Sequence, residues 1–214
     1  MKKLDHNAVK DMLVLCADVI IESKPFLTEI DSAIGDGDHG IGMAKGMTAV
    51  KKKLLESTDC CDVYKLFQET GKAMIMSMGG ASGVIFGTMF MGGAKGRSPA
   101  GSITTKEFAD LMESSLAAIK ARGMAEIGDK TMVDAFEPAV VAMQEYNGDS
   151  FEEMLSLAEK AAYEGVENTK SVVAKFGRAK FLGERSLGYQ DAGATSTWII
   201  LRTMWEYVST KRSN

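Results

Sequence analysis

The sequence predicts an all-α fold, with about eight helices in a single domain over residues 1–214. Three observations lead to that reading. Apolar residues recur at helical spacing along almost the whole chain. Two segments, Thr104-Thr-Lys-Glu107 and Ser150-Phe-Glu-Glu153, match the capping box, in which a Ser or Thr is followed three residues later by Glu. No convincing set of alternating strands occurs, and no proline-rich, Gly/Ser-rich or charged linker divides the chain.

The elements follow in order. Val9, Met12, Leu13, Cys16, Val19 and Ile20 form a first apolar stripe, with Cys16 acting as a small hydrophobe. Met43, Met47, Val50, Leu54 and Leu55 form a second, and Val63, Leu66, Phe67, Met74 and Met78 a third. An apolar helix covers Val84 to Phe90. The two capping boxes open helices that run to about Ala121 and Lys175. Pro138 is the one proline inside a helical pattern, and a strongly apolar helix closes the chain. Glycines cluster at 35–46, 79–96, 123–128 and 177–193, so these loops form the functional end of a helical scaffold.

Composition narrows the function classes. The chain has 214 residues, 45% of them hydrophobic and 25% charged, with a formal net charge of −4. This balance gives no hint of the basic face that a duplex nucleic-acid binder presents. Lys51-Lys52-Lys53 lies within a helix and reads as a solvated face. No stretch approaches 18 consecutive apolar residues, and no signal peptide is visible, so no membrane partner is expected. The three cysteines, two of them adjacent, make no disulfide framework and fit a reducing, cytoplasmic location.

The most informative motif is Asp31-Ser-Ala-Ile-Gly-Asp36-Gly-Asp38-His39-Gly40. Carboxylates held about 5 Å apart repel by roughly 3 kcal/mol per pair at an effective dielectric near 20. A hard divalent cation with oxygen ligands is the usual counter-charge, so Asp31, Asp36 and Asp38 are read as a Mg²⁺ site presenting a phosphorylated ligand. The segment also satisfies GxGxxG, but no strand precedes it and no parallel-sheet pattern follows. An EF-hand fails because Gly40 and Met47 stand where oxygen ligands are needed.

Three further clusters accompany it. Gly79-Gly80-Ala81-Ser82-Gly83 would let a backbone approach a ligand closely, or simply let two helices pack. Gly128-Asp129-Lys130-Thr131 is no P-loop, yet it could offer amides and Thr131 to an anion. Gly177-Arg178 through Arg185-Ser186, then Asp191 to Ser196, puts local positive charge on a long polar loop in an acidic protein, which suggests a lid over an anion.

These four clusters, in this order and spacing, resemble the nucleotide-binding L subunit family of dihydroxyacetone kinases, the DhaL family, across essentially the whole chain. The run from Gly177, Gly-Arg-Ala-Lys-Phe-Leu-Gly-Glu-Arg-Ser, is its most specific signature. The resemblance implies a barrel of eight antiparallel helices with ADP or ATP at one end. It implies two Mg²⁺ ions on Asp31, Asp36 and Asp38, bridging the phosphates. It implies a nucleotide pocket and lid drawn from His39, Gly40, Ile41, Gly42, Ala81, Ser82, Gly123, Thr131, Met132, Arg178, Asp191, Ala192 and Gly193. No catalytic base is assigned to this chain: in the family the ketose sits in a separate K subunit, and a phosphohistidine-bearing M subunit of the phosphotransferase system rephosphorylates ADP. The alternatives are an L subunit that exchanges free ATP and serves another small ketose, and a nucleotide-loaded regulatory partner. Oligomeric state stays open, a homodimer included. Two positions depart from the family pattern: Gly42 replaces a common Asn, and Ala192 falls where Asp-Pro-Gly is common.

Overall fold

The computed structural model describes residues 1–57 and 60–211. The 1–214 range expected for the domain therefore includes residues outside the described ones. Nine α-helices and one short ribbon are present among the described residues: β1 (Lys3–Asp5), α1 (His6–Glu22), α2 (Lys24–Ile34), α3 (His39–Glu56), α4 (Val63–Ser77), α5 (Gly80–Met91), β2 (Ser102–Thr104), α6 (Thr105–Gly123), α7 (Val133–Glu145), α8 (Phe151–Thr169) and α9 (Ala192–Thr210). A 3-10 segment, Ala179–Ser186, lies between α8 and α9.

Eight of the helices form a closed ring. Each of α3 to α8 packs on the next, α9 packs on α8, and α1 joins α9 to α3. Successive helices alternate in direction, so every loop of one parity collects at one end of the barrel. α2 is the ninth helix; it leans on α3 at the end where α1 finishes and α3 begins. Sequence periodicity passed over it because only Leu27 and Ile34 are buried, too few to draw a stripe.

The opposite end is closed by the ribbon, which periodicity also missed because three residues per strand carry no pattern. β1 and β2 pair antiparallel, with Leu4 opposite Ile103, and both side chains are fully buried. Phe67, Phe108 and Phe151 meet edge to face within the barrel, at centroid distances of 6.1 and 5.7 Å.

The capping readings hold in one case fully and in the other by half. At α6, Thr104 Oγ1 accepts from the Glu107 amide while the Glu107 carboxylate accepts from the Thr104 amide. At α8, Ser150 Oγ accepts from the Glu153 amide, but the Glu153 carboxylate is taken by the Tyr146 hydroxyl. α8 also stops at Thr169, not near Lys175, because the Thr169 hydroxyl and carbonyl turn to other partners described below. α5 begins at Gly80, four residues ahead of the expected Val84. Leu55 is exposed; the apolar stripe of α3 ends at Leu54. Pro138 sits inside α7, where its missing N–H leaves the Asp134 carbonyl without a helical partner, and α8 approaches that carbonyl closely at Gly165.

Candidate nucleotide and metal site

The end of the ring opposite the ribbon gathers the α2–α3, α4–α5, α6–α7 and α8–α9 connections, which carry the glycine clusters except that the one expected over 79–96 divides: Gly79 and Gly80 open α5 here, while Gly92, Gly93 and Gly96 follow its other end, toward the ribbon. Asp31 stands on the last turn of α2, Asp36 in the turn, and Asp38 at the N-cap position of α3. One carboxylate oxygen from each lies within 4.8 Å of the other two. The turn is built for this crowding. A side chain at Gly35 would strike the Asp31 carboxylate, and Gly37 takes φ +73° with no room beside Ser32. The Asp31 carboxylate accepts from the His39 amide at 3.2 Å, which leaves the triad facing outward.

Charge is unbalanced here. Partial burial, then the neighbouring Asp36 and Asp31, push the Asp38 carboxyl above its ordinary range. Among the described residues, the one cation in ion-pair contact with the triad is Arg178, whose Nε lies 2.9 Å from Asp36 Oδ2. One guanidinium against three carboxylates leaves the site electronegative. An all-oxygen donor set of this charge fits a hard divalent ion such as Mg²⁺. Arg178 and Leu182 wall a groove with Ser32, Ala33, Ile34, Gly35 and Asp36, so the loop expected to act as a lid does reach the acids.

The remaining expected residues ring the same opening. Ala81 and Ser82 are exposed on the first turn of α5, and Ile41 is exposed on the first turn of α3. Gly123 ends α6 against Ile85 of α5. Gly193, on the first turn of α9, abuts the buried Met132. Gly42 has open space beside it, with only the Met78 methyl nearby. Asp191 caps α9 by accepting from the Ala194 amide at 2.6 Å, and burial pushes its carboxyl up to about 7. Ala192 is buried.

Two of the expected groups have their polar atoms engaged elsewhere. The His39 ring does not point at the opening: Nε2 lies 2.7 Å from Ser196 Oγ, the ring packs against Phe86, and burial holds its pKa below the usual value. The His39 ring is therefore committed to the core, and its amide to the Asp31 carboxylate. In the Gly128–Thr131 turn the Gly128, Asp129 and Thr131 amides are already engaged, Asp129 N donating to Glu126 O at 3.2 Å. The Asp134 carboxylate accepts from Gly128 N at 2.6 Å and Thr131 N at 2.7 Å, and Thr131 Oγ1 accepts from Val133 N.

Lys130 was given no role by sequence and proves the most unusual residue of this end. It is 2% exposed, and its ammonium donates to the carbonyls of Thr169 and Tyr189 at 2.6 and 2.5 Å. The only hint was its place in a failed P-loop.

Fold and site together define a class: an all-α helical ring with a carboxylate triad and an arginine loop at one end. The chain belongs to the DAK2 domain family, whose model matches residues 33–206. It is 34% identical, over 94% of its length and 96% of the relative's, to the PEP-dependent dihydroxyacetone kinase, ADP-binding subunit DhaL, of Escherichia coli strain K12. It is also 34% identical, over 89% of its length and 91% of the relative's, to the PTS-dependent dihydroxyacetone kinase, ADP-binding subunit DhaL, of Lactococcus lactis. Among solved structures it superposes on the dihydroxyacetone kinase from C. freundii in complex with AMP-PNP and Mg²⁺, with a TM-score of 0.73 and 24% identity. That match covers 92% of this chain and 33% of the longer one.

Proposed function

We propose that this chain is the ADP/ATP-binding L subunit of a multisubunit dihydroxyacetone kinase. It transfers a phosphoryl group from Mg-bound nucleotide to a ketose held by a separate K subunit, and a phosphohistidine-bearing M subunit of the phosphotransferase system recharges its ADP. Residues 1–214 act as one nucleotide-binding unit. The observation that carries this reading is the triad Asp31, Asp36 and Asp38, converging within 4.8 Å beside Arg178 in a member of this family. The names of the full-length relatives support the same assignment.

Phosphoryl transfer asks an enzyme mainly for alignment and charge neutralisation. Mg²⁺ held by the three aspartates, as two ions, would supply Lewis-acid neutralisation of the phosphate oxygens. The chain's own residues do the rest. Arg178, beside Asp36, brings a further cation to the same oxygens. Gly40 and Gly42, Ala81 and Ser82 give close backbone approach to the phosphates. Gly123, Met132, Asp191, Ala192 and Gly193 border the base and ribose, and the exposed Ile41 gives the rim apolar surface. The one histidine near the site is committed to Ser196, so the acceptor's proton goes to a base on the K subunit.

Two assays test the proposal. ADP and Mg²⁺ should co-purify with the protein, since retention through each cycle needs nanomolar affinity, about −12 kcal/mol. Asp36→Ala should abolish phosphoryl transfer in the presence of the K subunit. A nucleotide-free preparation that turns over ATP with a K partner would point to the exchanging type of L subunit; unchanged transfer by Asp36→Ala would remove the catalytic reading.

A further inference from the structure

We propose that Lys130, with Asp129 beside it, is a positioning residue that clasps the neck of the 170–190 loop and thereby holds Arg178 over the acid site. The proposal rests on the nucleotide-binding reading above for its effect on ligand, and on geometry alone for its effect on the loop.

The loop leaves the barrel after Thr169 and rejoins it at Asp191. Its two ends touch: Gly188 N donates to Lys170 O at 2.8 Å, and Asp191 N donates to Thr169 Oγ1 at 3.0 Å. Lys130 Nζ bonds both sides of this neck at once, through the carbonyls of Thr169 and Tyr189, with Val172 O farther off at 3.4 Å. Asp129 fixes the outgoing strand one step along. Its carbonyl accepts from Lys175 N at 3.1 Å and its carboxylate from Lys175 Nζ at 2.6 Å. Arg178 follows three residues later.

Beyond the clasp the loop is tied to the barrel by the Arg178–Asp36 pair and by Phe176 against the core, and otherwise by its own interior. Ser186, fully buried, accepts from Ala174 N and donates to Gly183 O. Gly177, Gly183 and Gly188 take positive φ with open space around them, so no packed neighbour holds those three turns at the glycines themselves. The loop is thus a long surface excursion closed at its neck, and the neck is its control point.

Stability alone does not account for a lysine here. An ammonium buried without a carboxylate in ion-pair contact is costly, and Lys130 also occupies the left-handed region at φ +60°, where non-glycine residues are uncommon. What the lysine does that an apolar side chain could not is bond three carbonyls from two chain segments simultaneously. The same turn carries Met132, so the clasp couples the pocket wall to the loop.

The test compares parent, Lys130→Met and Lys175→Met, with Val9→Ala as a destabilised core control at the far end. Two readouts are taken: trypsin cleavage at Arg178, Lys180 and Arg185 in nucleotide-free protein, and release of methylanthraniloyl-ADP in the presence of Mg²⁺. Lys130→Met should raise both rates at least tenfold, and Lys175→Met severalfold, while saturating Mg²⁺ and ADP together still raise the melting temperature of both variants. Val9→Ala should change neither rate beyond its loss of global stability. Should Lys130→Met fail to fold, Lys175→Met decides, because Lys175 is largely exposed. Cleavage and release equal to the parent's in the folded variants overturns the clasp. A parent that binds no ADP would instead overturn the functional reading, and the cleavage rates alone would then support or refute the clasp.

Discussion

At position 40 there is no space for a side chain. An added Cβ would collide with Thr28 Oγ1 and lie 2.5 Å from Lys24 O, because α2 and α3 cross at that point. Two residues on, Gly42 has room, with the nearest atom a Met78 methyl at 3.7 Å. The two glycines therefore predict opposite outcomes. Gly40→Ala should cost about 1–3 kcal/mol of stability by overpacking, read by urea denaturation. Gly42→Asn should leave stability within about 0.5 kcal/mol of the parent, as substitutions away from packed features do. It should also slow ADP release by restoring the side chain common at this place in the family; an unchanged release rate would show that the position makes no contact with nucleotide. At this scale the acid triad was legible in sequence because its members lie within eight residues. The roles of His39 and Lys130 were not, because their partners lie 157, 39 and 59 residues away and no local pattern encodes such contacts.

Among the elements, those with long apolar faces were readable and those whose role is to connect were not. α1, α3 and α4 each bury six or more residues at helical spacing. α2 buries two, and its function is to carry Asp31 to the turn. The 3-10 segment Ala179–Ser186 buries only Ser186, so it read as loop. α6 shows how a well-signalled element contributes to the whole. Its capping box fixes the start, and Phe108 then stacks between Phe67 and Phe151 of two other helices. Phe108→Ala should destabilise the protein by about 3–5 kcal/mol, a cavity effect, in thermal or urea unfolding. Because the cavity would lie near the ribbon, at the end remote from the acids, affinity for Mg²⁺ should change little in the fraction that stays folded.

For the whole molecule, the barrel separates stability from chemistry along its axis. Core aromatics and the ribbon close one end, and the electronegative triad opens at the other. Metal and nucleotide should therefore add stability by mass action without being needed for folding. Ligand at 100 times its Kd adds about 2.7 kcal/mol, which for a chain of this size raises the melting temperature by roughly 5–10 °C. That rise should need Mg²⁺ and ADP together and vanish with EDTA. A melting temperature indifferent to EDTA in the presence of ADP would argue that the triad does not hold the ion. No helix among the described residues is long and apolar enough to cross a membrane, in keeping with the charged faces left outside the ring.

The alternation of the helices has one more consequence, for what could be joined to this chain. Met1 lies beside the start of α8, where its carbonyl accepts from Phe151 N, and α9 ends at Thr210 on that same side. Met1 and the end of α9 therefore both lie on the ribbon side. α3, with 18 residues, sets the distance from there to the triad at about 27 Å. A tag, tether or neighbouring domain attached before Met1 or following on from α9 would leave the helices on the blind side of the molecule, keeping the reactive face clear for docking unless its linker were long enough to double back along the barrel wall.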